Sequence, residues 1–324
     1  MIGLLGSAAV AQAPPPALVP LRVITFDGGW NLPLWVAQRQ GFFELQGLAV
    51  QISYTPSSAF LVTSLLDGKS DIALALIDNL VAYQEGQGEA KIGANPDLFA
   101  FMGSDGGFLS VVAAPGIKGF ADLKGKTLSV DAMSTGAAFV LREIMARNGI
   151  NEADVSYVRA GGTANRYREL LAGRHAATLL RTPFDLQAVN QGFNLLASAE
   201  VLGPYQGTAG MARRSWAQTN EPALLGFIRA YRAAVAWLYE TKNRDVVEAL
   251  LVANSRDMTP ALARQSYGLL LADKGGITRD GAIDMAGLRT VLELRSRYAT
   301  PALKLSDPAK YVDTRYLDKA GSAR

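Results

Sequence analysis

Ser134-Thr135-Gly136 stands between the apolar, strand-like run Leu128-Ser129-Val130-Asp131 and a helical stretch over 137–148. Backbone N–H groups at such a helix start favour an anion by about 0.3–1 kcal/mol, and small side chains there let an oxyanion come close. Ser134 or Thr135 can equally cap the helix, and both roles can hold at once. Arg181 ends another apolar strand, Ala177-Thr178-Leu179-Leu180, and can offer a bidentate guanidinium to a carboxylate or sulfonate, or pair with an acid such as Asp185. Asp27 and Asp78 complicate the anion reading, because together they suit an amine or a pyrimidine. Trp30, Phe108 and Phe184 can wall an aromatic solute, although aromatics beside apolar runs also fill cores. Covalent chemistry has little to build on. The sole histidine, His175, follows Gly173-Arg174 at an expected exposed turn, there is no cysteine, and no Gly-x-Ser-x-Gly occurs. Gly125-Lys126-Thr127 fails as a phosphate loop, since five residues separate Gly119 from Gly125 and Lys126 enters a strand where the motif requires a helix.

The elements that must position these groups form a repeat. Residues 21–76 overlay residues 126–181 without a gap at a shift of 105, and strand, loop, helix, strand, loop, helix and strand recur in one order. Leu65-Leu66-x-Gly68 meets Leu170-Leu171-x-Gly173. Each half therefore predicts a small α/β lobe. Two such open sheets facing each other leave a crevice at the carboxyl ends of their strands, where ligands bind. The strand-to-helix loops that reach it supply the candidate contacts: Asp27, Trp30, Asn31, Asp78, Asn79, Ser134, Thr135, Gly136, Gly162, Thr163, Arg181, Pro183 and Phe184, with Asp105 and Phe108 where the chain crosses between halves. Asn31 is expected to cap the helix beginning at Leu32, and Asn220 the helix carrying Leu224, Ile228, Tyr231, Val235 and Leu238 on one face. Helices near 242–253, 259–272 and 284–298 are expected to form a buttress mainly on the first lobe.

Composition narrows the partners. The 324 residues are 49% hydrophobic, enough for a large core and two domains. A formal charge of +3 without basic runs argues against nucleic acid. The uncharged first twenty residues, with Ala11-Gln12-Ala13 before three prolines, suit the end of a secretory signal, though a basic start is missing. No other apolar run is long enough for a membrane span, and the absence of Cys excludes disulfides, thiolate zinc sites and a lipidated cysteine. No cofactor or metal is expected.

Trp30-Asn31-Leu32-Pro33-Leu34 with Gly41-Phe42-Phe43, Leu65-Leu66-Asp67-Gly68-Lys69-Ser70-Asp71-Ile72-Ala73, Asp122-Leu123-Lys124-Gly125-Lys126 and Leu180-Arg181-Thr182-Pro183 together resemble the solute-binding proteins of nitrate, sulfonate and taurine-type ABC importers and their thiamine-precursor-binding relatives. The resemblance spans residues 21 to about 300. It implies a type II periplasmic-binding-protein fold, with two doubly wound lobes joined by a two-strand hinge. On that plan residues 1–20 are leader, 21–112 plus 206–324 form lobe 1 with its helical buttress, and 113–205 form lobe 2. It further implies a monomer, free in the periplasm, that captures a small-molecule ligand and docks transiently on a membrane ABC permease. The expected solute is a small organic anion, a carboxylate or sulfonate, aromatic ones included; the alternative is a pyrimidine or thiamine precursor. Eukaryotic pyrimidine synthases of the same fold, which need pyridoxal phosphate and a sacrificial histidine, are the enzymatic alternative, and neither requirement can be placed here. One departure is Arg174-His175-Ala176, where such sequences usually carry an acid at the position of Ala176.

Overall fold

The computed structural model describes residues 17–93 and 95–322; the expected signal remnant Ala11-Gln12-Ala13 and its prolines lie outside them. The chain builds two five-stranded sheets. The first runs β2 (Leu48–Tyr54), β1 (Val19–Thr25), β3 (Ile72–Leu76), β10 (Thr208–Arg213), β4 (Leu98–Gly103). The second runs β7 (Ser156–Arg159), β6 (Thr127–Val130), β8 (Ala177–Arg181), β5 (Leu109–Ala113), β9 (Asn194–Ser198). In each, three parallel strands abut an antiparallel one: β10 beside β3, and β5 beside β8. The chain therefore crosses between sheets twice, through Ser104–Phe108 and through the segment ending at Gly207.

The two halves share one register. Val23 pairs with Ile52 and Ile72 in the first sheet, and Leu128 pairs with Tyr157 and Ala177 in the second, each 105 residues further on. The helices α2 (Ser58–Leu66) and α5 (Thr163–Leu171) occupy the same offset with the same length. Burial explains the strand compositions. Ile-Ala-Leu-Ala-Leu in β3 is covered on both faces, whereas in the edge strand β2 the buried Leu48 and half-buried Val50 and Ile52 alternate with exposed positions.

The remaining helices surround the sheets. They are α1 (Leu32–Arg39), α3 (Asp78–Gln84), α4 (Gly136–Arg147), α6 (Phe184–Asn190), α7 (Arg214–Thr219), α8 (Glu221–Leu238), α9 (Arg244–Asn254), α10 (Pro260–Leu270), α11 (Met285–Tyr298) and α12 (Arg315–Ser322). On α8, Leu224, Ile228, Tyr231, Val235 and Leu238 are all buried, as their spacing predicts. Neither expected asparagine cap forms: the Asn31 side-chain N–H bonds Phe26 O and Gly28 O, and that of Asn220 bonds Trp216 O. Asn31 thus ties the β1–α1 loop to itself, with Thr25 Oγ1 donating to its Oδ1.

The expectation that the C-terminal helices rest mainly on the first lobe is corrected at α11. Tyr298 stacks on Phe139 of α4 with ring centroids 6.1 Å apart, and both Arg297 and Tyr298 donate to Glu143 of α4. Arg295 of the same helix holds Asp78 of α3. This helix therefore bridges the lobes. No helix among the described residues is long and apolar enough to cross a membrane.

Candidate functional site

The carboxyl ends of β1, β3, β6 and β8 converge on a cleft of about 430 Å³, counting its open mouth. One wall is Phe26, Leu76 and Asn79 from the first lobe; the other is Asp131, Thr135, Gly136, Gly162, Thr163, Arg166 and Arg181 from the second. Asp27, Thr55 and Pro56 face Gly162, Thr163 and Asn165 across an adjoining space of about 240 Å³. The walls touch beyond the cavity. Gly162 N–H donates to Pro56 O (3.1 Å), Ser134 Oγ to Glu89 Oε1 (3.0 Å), and Arg295 Nη2 to Ser134 O (2.8 Å). Arg159 also pairs with Glu89.

Two buried guanidinium groups dominate the second lobe's wall. Arg166, 2% exposed, projects from the first turns of α5 and spends its hydrogen bonds on neutral oxygens: Leu179 O twice, Gly161 O and Thr163 Oγ1. Burial lowers its pKa to about 10, with Asp131 opposing and Arg181 reinforcing the shift, so it remains a cation at neutral pH. Arg181 ends β8. Its Nε donates to Gly107 O (2.7 Å), and its Nη2 to Asp105 Oδ1 and Thr208 Oγ1 (both 3.0 Å). Its guanidinium lies 3.8 Å from the Trp30 ring centroid, and Nη1 makes no hydrogen bond among the described residues. Burial lowers the Arg181 pKa, against the field of Asp105.

Three carboxylates lie close by and differ in their partners. Asp78, 1% exposed, is held by Arg295. Asp131, 7% exposed, directly follows β6, and its Oδ1 has no hydrogen-bond partner. Burial raises its pKa, opposed by Arg166 and by Ser58 of the other lobe. Asp27 is also raised by burial, opposed by Arg168 and the Gly28 N–H.

The sequence candidates thus divide by position. Asn79, Thr135, Gly136, Gly162, Thr163 and Arg181 line the main cavity, and Asp27 the adjoining one. Asp78 and Asp105 lie behind the walls as partners of Arg295 and Arg181, Asn31 anchors its loop, and Ser134 bridges the lobes. Trp30 backs Arg181, Phe108 packs on the first lobe's core, Pro183 precedes α6, and Phe184 stacks on Tyr167 with centroids 5.3 Å apart. Arg181 pairs with Asp105, not with Asp185, which instead accepts from Ser110 and Thr182. His175 directly follows the exposed turn 172–174, but its own side chain is only 11% exposed, and Nε2 lies 2.7 Å from Glu169 Oε2, away from both cavities.

Sequence reasoning missed Phe26, Asp131, Arg166 and Arg295. The repeat held a signal for the first three. Phe26 and Asp131 are equivalents under the 105-residue shift, and Arg166 falls on Leu61, a fully buried leucine of α2. A charge at a core position marks an inward-facing guanidinium.

Solved structures share this architecture. The periplasmic nitrate-binding protein NrtA from Synechocystis superposes with a TM-score of 0.75 over 94% of this chain and 88% of its own, at 14% identity. The alkanesulfonate-binding protein SsuA from Xanthomonas axonopodis pv. citri, bound to MOPS, gives 0.65 over 78% and 85%, at 19% identity. The fold is that of periplasmic binding proteins. Among curated proteins, "Putative binding protein YtlA" of Bacillus subtilis is 28% identical over 225 residues, covering 67% of this chain and 65% of its own. The 4-amino-5-hydroxymethyl-2-methylpyrimidine phosphate synthase of Schizosaccharomyces pombe is 29% identical over 145 residues, 43% of this chain and 39% of its own. This chain thus spans less than two thirds of either relative's length. The NMT1/THI5-like family model matches residues 31–244, from the β1–α1 loop to the start of α9 and through every cavity-lining element except β1, so the chain belongs to the NMT1/THI5-like family.

Proposed function

We propose that the chain is the periplasmic solute-binding component of an ABC importer, and that it captures a small organic anion, a carboxylate or sulfonate, between its lobes for delivery to a membrane permease. Arg166 carries this reading. It is a fully buried cation that lines the cleft and makes no ion pair among the described residues, in a protein whose other deeply buried arginines, Arg181 and Arg295, each hold a carboxylate. Removing an ion from water costs several kcal/mol unless a counter-charge offsets it. A bound oxyanion supplies that charge, aided by the amino ends of α4 and α5, which open at Gly136 and Thr163 on the same cavity. The nitrate-binding and alkanesulfonate-binding proteins of like fold support the ligand class and the transport role. Closure is then a population shift driven by contacts the solute makes to both walls.

A pyrimidine is the second reading. Phe26 lines both cavities, with Gly162 so near that an added Cβ would sit 3.0 Å from its ring, a narrow face suited to a flat solute. The pyrimidine phosphate synthase relative favours it further. Calorimetric titration with aliphatic and aromatic sulfonates and carboxylates, and with 4-amino-5-hydroxymethyl-2-methylpyrimidine, separates the two. The proposal expects micromolar binding of an anion, about −8.2 kcal/mol, weakened at least tenfold in Arg166→Gln. Binding of the pyrimidine alone, or undiminished anion binding by the variant, would overturn it.

A further inference from the structure

We infer that the two segments crossing between the lobes form a strained hinge that works against the closed arrangement, with Phe108 on one crossing and Tyr205 on the other carrying the strain. The inference rests on the reading of the cleft as one that captures a solute, and adds what sets its resting state. The lobes are shut on each other in this structure, with Gly162 N–H on Pro56 O and Ser134 Oγ on Glu89 Oε1. Behind the cavity the crossings pass in backbone contact: Gly207 N–H donates to Asp105 O (2.9 Å), and a Cβ built on Gly207 would lie 2.2 Å from Gly107 N. A rotation of the lobes must therefore be absorbed by the dihedral angles of a few residues at this point.

Each crossing holds a feature that costs free energy as the lobes now stand. Phe108 has a φ of 51°, in the left-handed region that a residue with a Cβ avoids. Such backbone persists where the surrounding packing over-determines it, and it collects at switch regions. The Phe108 ring packs on the first lobe's core while the next residue, Leu109, begins β5 of the second sheet, so the strained angle is set by how the lobes meet. Tyr205 is buried, and its hydroxyl has no hydrogen-bond partner among the described residues; Asp105 Oδ2, on the other crossing, is an acceptor in the same condition. Burial raises the Tyr205 pKa, with Asp78 and Asp105 adding to the shift and Arg181 and Arg295 opposing it. Asp78 belongs to the first lobe and Arg181 to the second, so parting the lobes opens this enclosure to water. A donor buried without an acceptor is costly, and water removes that cost. Both penalties thus belong to the closed form, and solute contacts must offset them.

Small-angle scattering of the solute-free protein reads the resting state, and calorimetric titration with propane-1-sulfonate, benzenesulfonate, butanoate and benzoate reads its effect on capture. The solute-free wild type is expected to have a larger radius of gyration than this closed structure gives. Tyr205→Phe removes the hydroxyl and keeps the ring. It should contract the solute-free protein toward the closed value and tighten binding of the best of the four anions about fivefold, because apparent affinity scales with the population of the competent state. Phe108→Gly and Phe108→Ala lose the same ring packing, but only Phe108→Gly is freed of the left-handed cost. Phe108→Gly is therefore expected to be the more contracted of the two and to bind about threefold more tightly. A solute-free wild type already as compact as the closed structure would overturn the inference. So would a Tyr205→Phe protein no more compact than wild type, as a satisfied hydroxyl would give, or a Phe108→Ala protein matching Phe108→Gly; the Phe108 pair decides if Tyr205→Phe does not fold. If the contractions appear but no anion binds any of these proteins, the capture reading falls alone and the hinge stands.

Discussion

Arg295 Nε and Nη2 grip the two oxygens of Asp78 at 2.8 and 2.5 Å, with both side chains out of contact with solvent. The same guanidinium reaches Gln87 Oε1 and the Ser134 carbonyl, and it lies 4.9 Å from the Phe139 ring centroid. Asp78 belongs to the first lobe, and Ser134 and Phe139 to the second, so one side chain of α11 joins the walls of the cleft behind the cavity.

Loss of either partner in this pair strands a buried charge, which costs about 3–5 kcal/mol. Arg295→Gln is expected to lower the unfolding free energy by that amount in denaturant titrations. A change below about 0.5 kcal/mol, typical of surface substitutions, would show that the pair is not buried in solution.

Arg181 is fixed differently, by three neutral or charged acceptors and by stacking on Trp30. Lysine keeps the charge but lacks the planar fork and stacks poorly. Arg181→Lys should therefore destabilise the fold by about 2–3 kcal/mol, the worth of charge-assisted hydrogen bonds, with the loss read as a lower denaturation midpoint at unchanged slope. An unshifted midpoint would mean that the Asp105 and Trp30 contacts are incidental.

The parts of this fold that were legible in the sequence are those set by local periodicity within the repeat. Strand β8 ends at Arg181 with its apolar run, and α4 falls one residue from its expected 137–148, because a buried stripe and a Gly-marked stop fix such elements locally. Arg295 was hidden for the opposite reason. It sits 217 residues from Asp78, outside the repeat, in the run Glu293-Leu294-Arg295-Ser296-Arg297, which reads as an amphipathic surface. Arg166 was masked likewise by Arg168 and Glu169 beside it, although its equivalent Leu61 is core. The asparagine caps failed because tertiary partners outcompeted the helix ends: the side chain of Asn31 serves the backbone of its own loop.

Asp131 makes stability depend on pH in a definite direction. Burial lifts its carboxyl above the ordinary 3.8, so between that value and its folded pKa the native state holds more protons than the unfolded chain. Stability from this group therefore falls as pH rises through the window and is not regained above it. Asp131→Asn removes the dependence, and is expected to unfold at a higher temperature than wild type at pH 7, with the advantage vanishing below pH 4. Such an exchange of stability against binding is common at functional sites. A variant less stable than wild type at pH 7 would place the carboxylate in a satisfied network.

Gly136 opens α4 where the second lobe meets the first. A Cβ built there would lie 2.5 Å from the Asp78 Cβ and 2.6 Å from its Cγ, closer than such atoms approach, and Asp78 cannot yield because Arg295 grips it. Gly136→Ala should therefore act as a wedge between the walls while leaving each lobe intact, since alanine is a better helix former than glycine by about 1 kcal/mol. The expected result is far-ultraviolet circular dichroism like that of wild type, a larger radius of gyration in solution scattering with saturating solute, and at least tenfold weaker binding of whichever sulfonate or carboxylate the wild type holds best. Because solute contacts to both lobes are what favour the closed form, affinity within twofold of wild type would mean that binding does not require the walls to meet at Gly136 and Asp78.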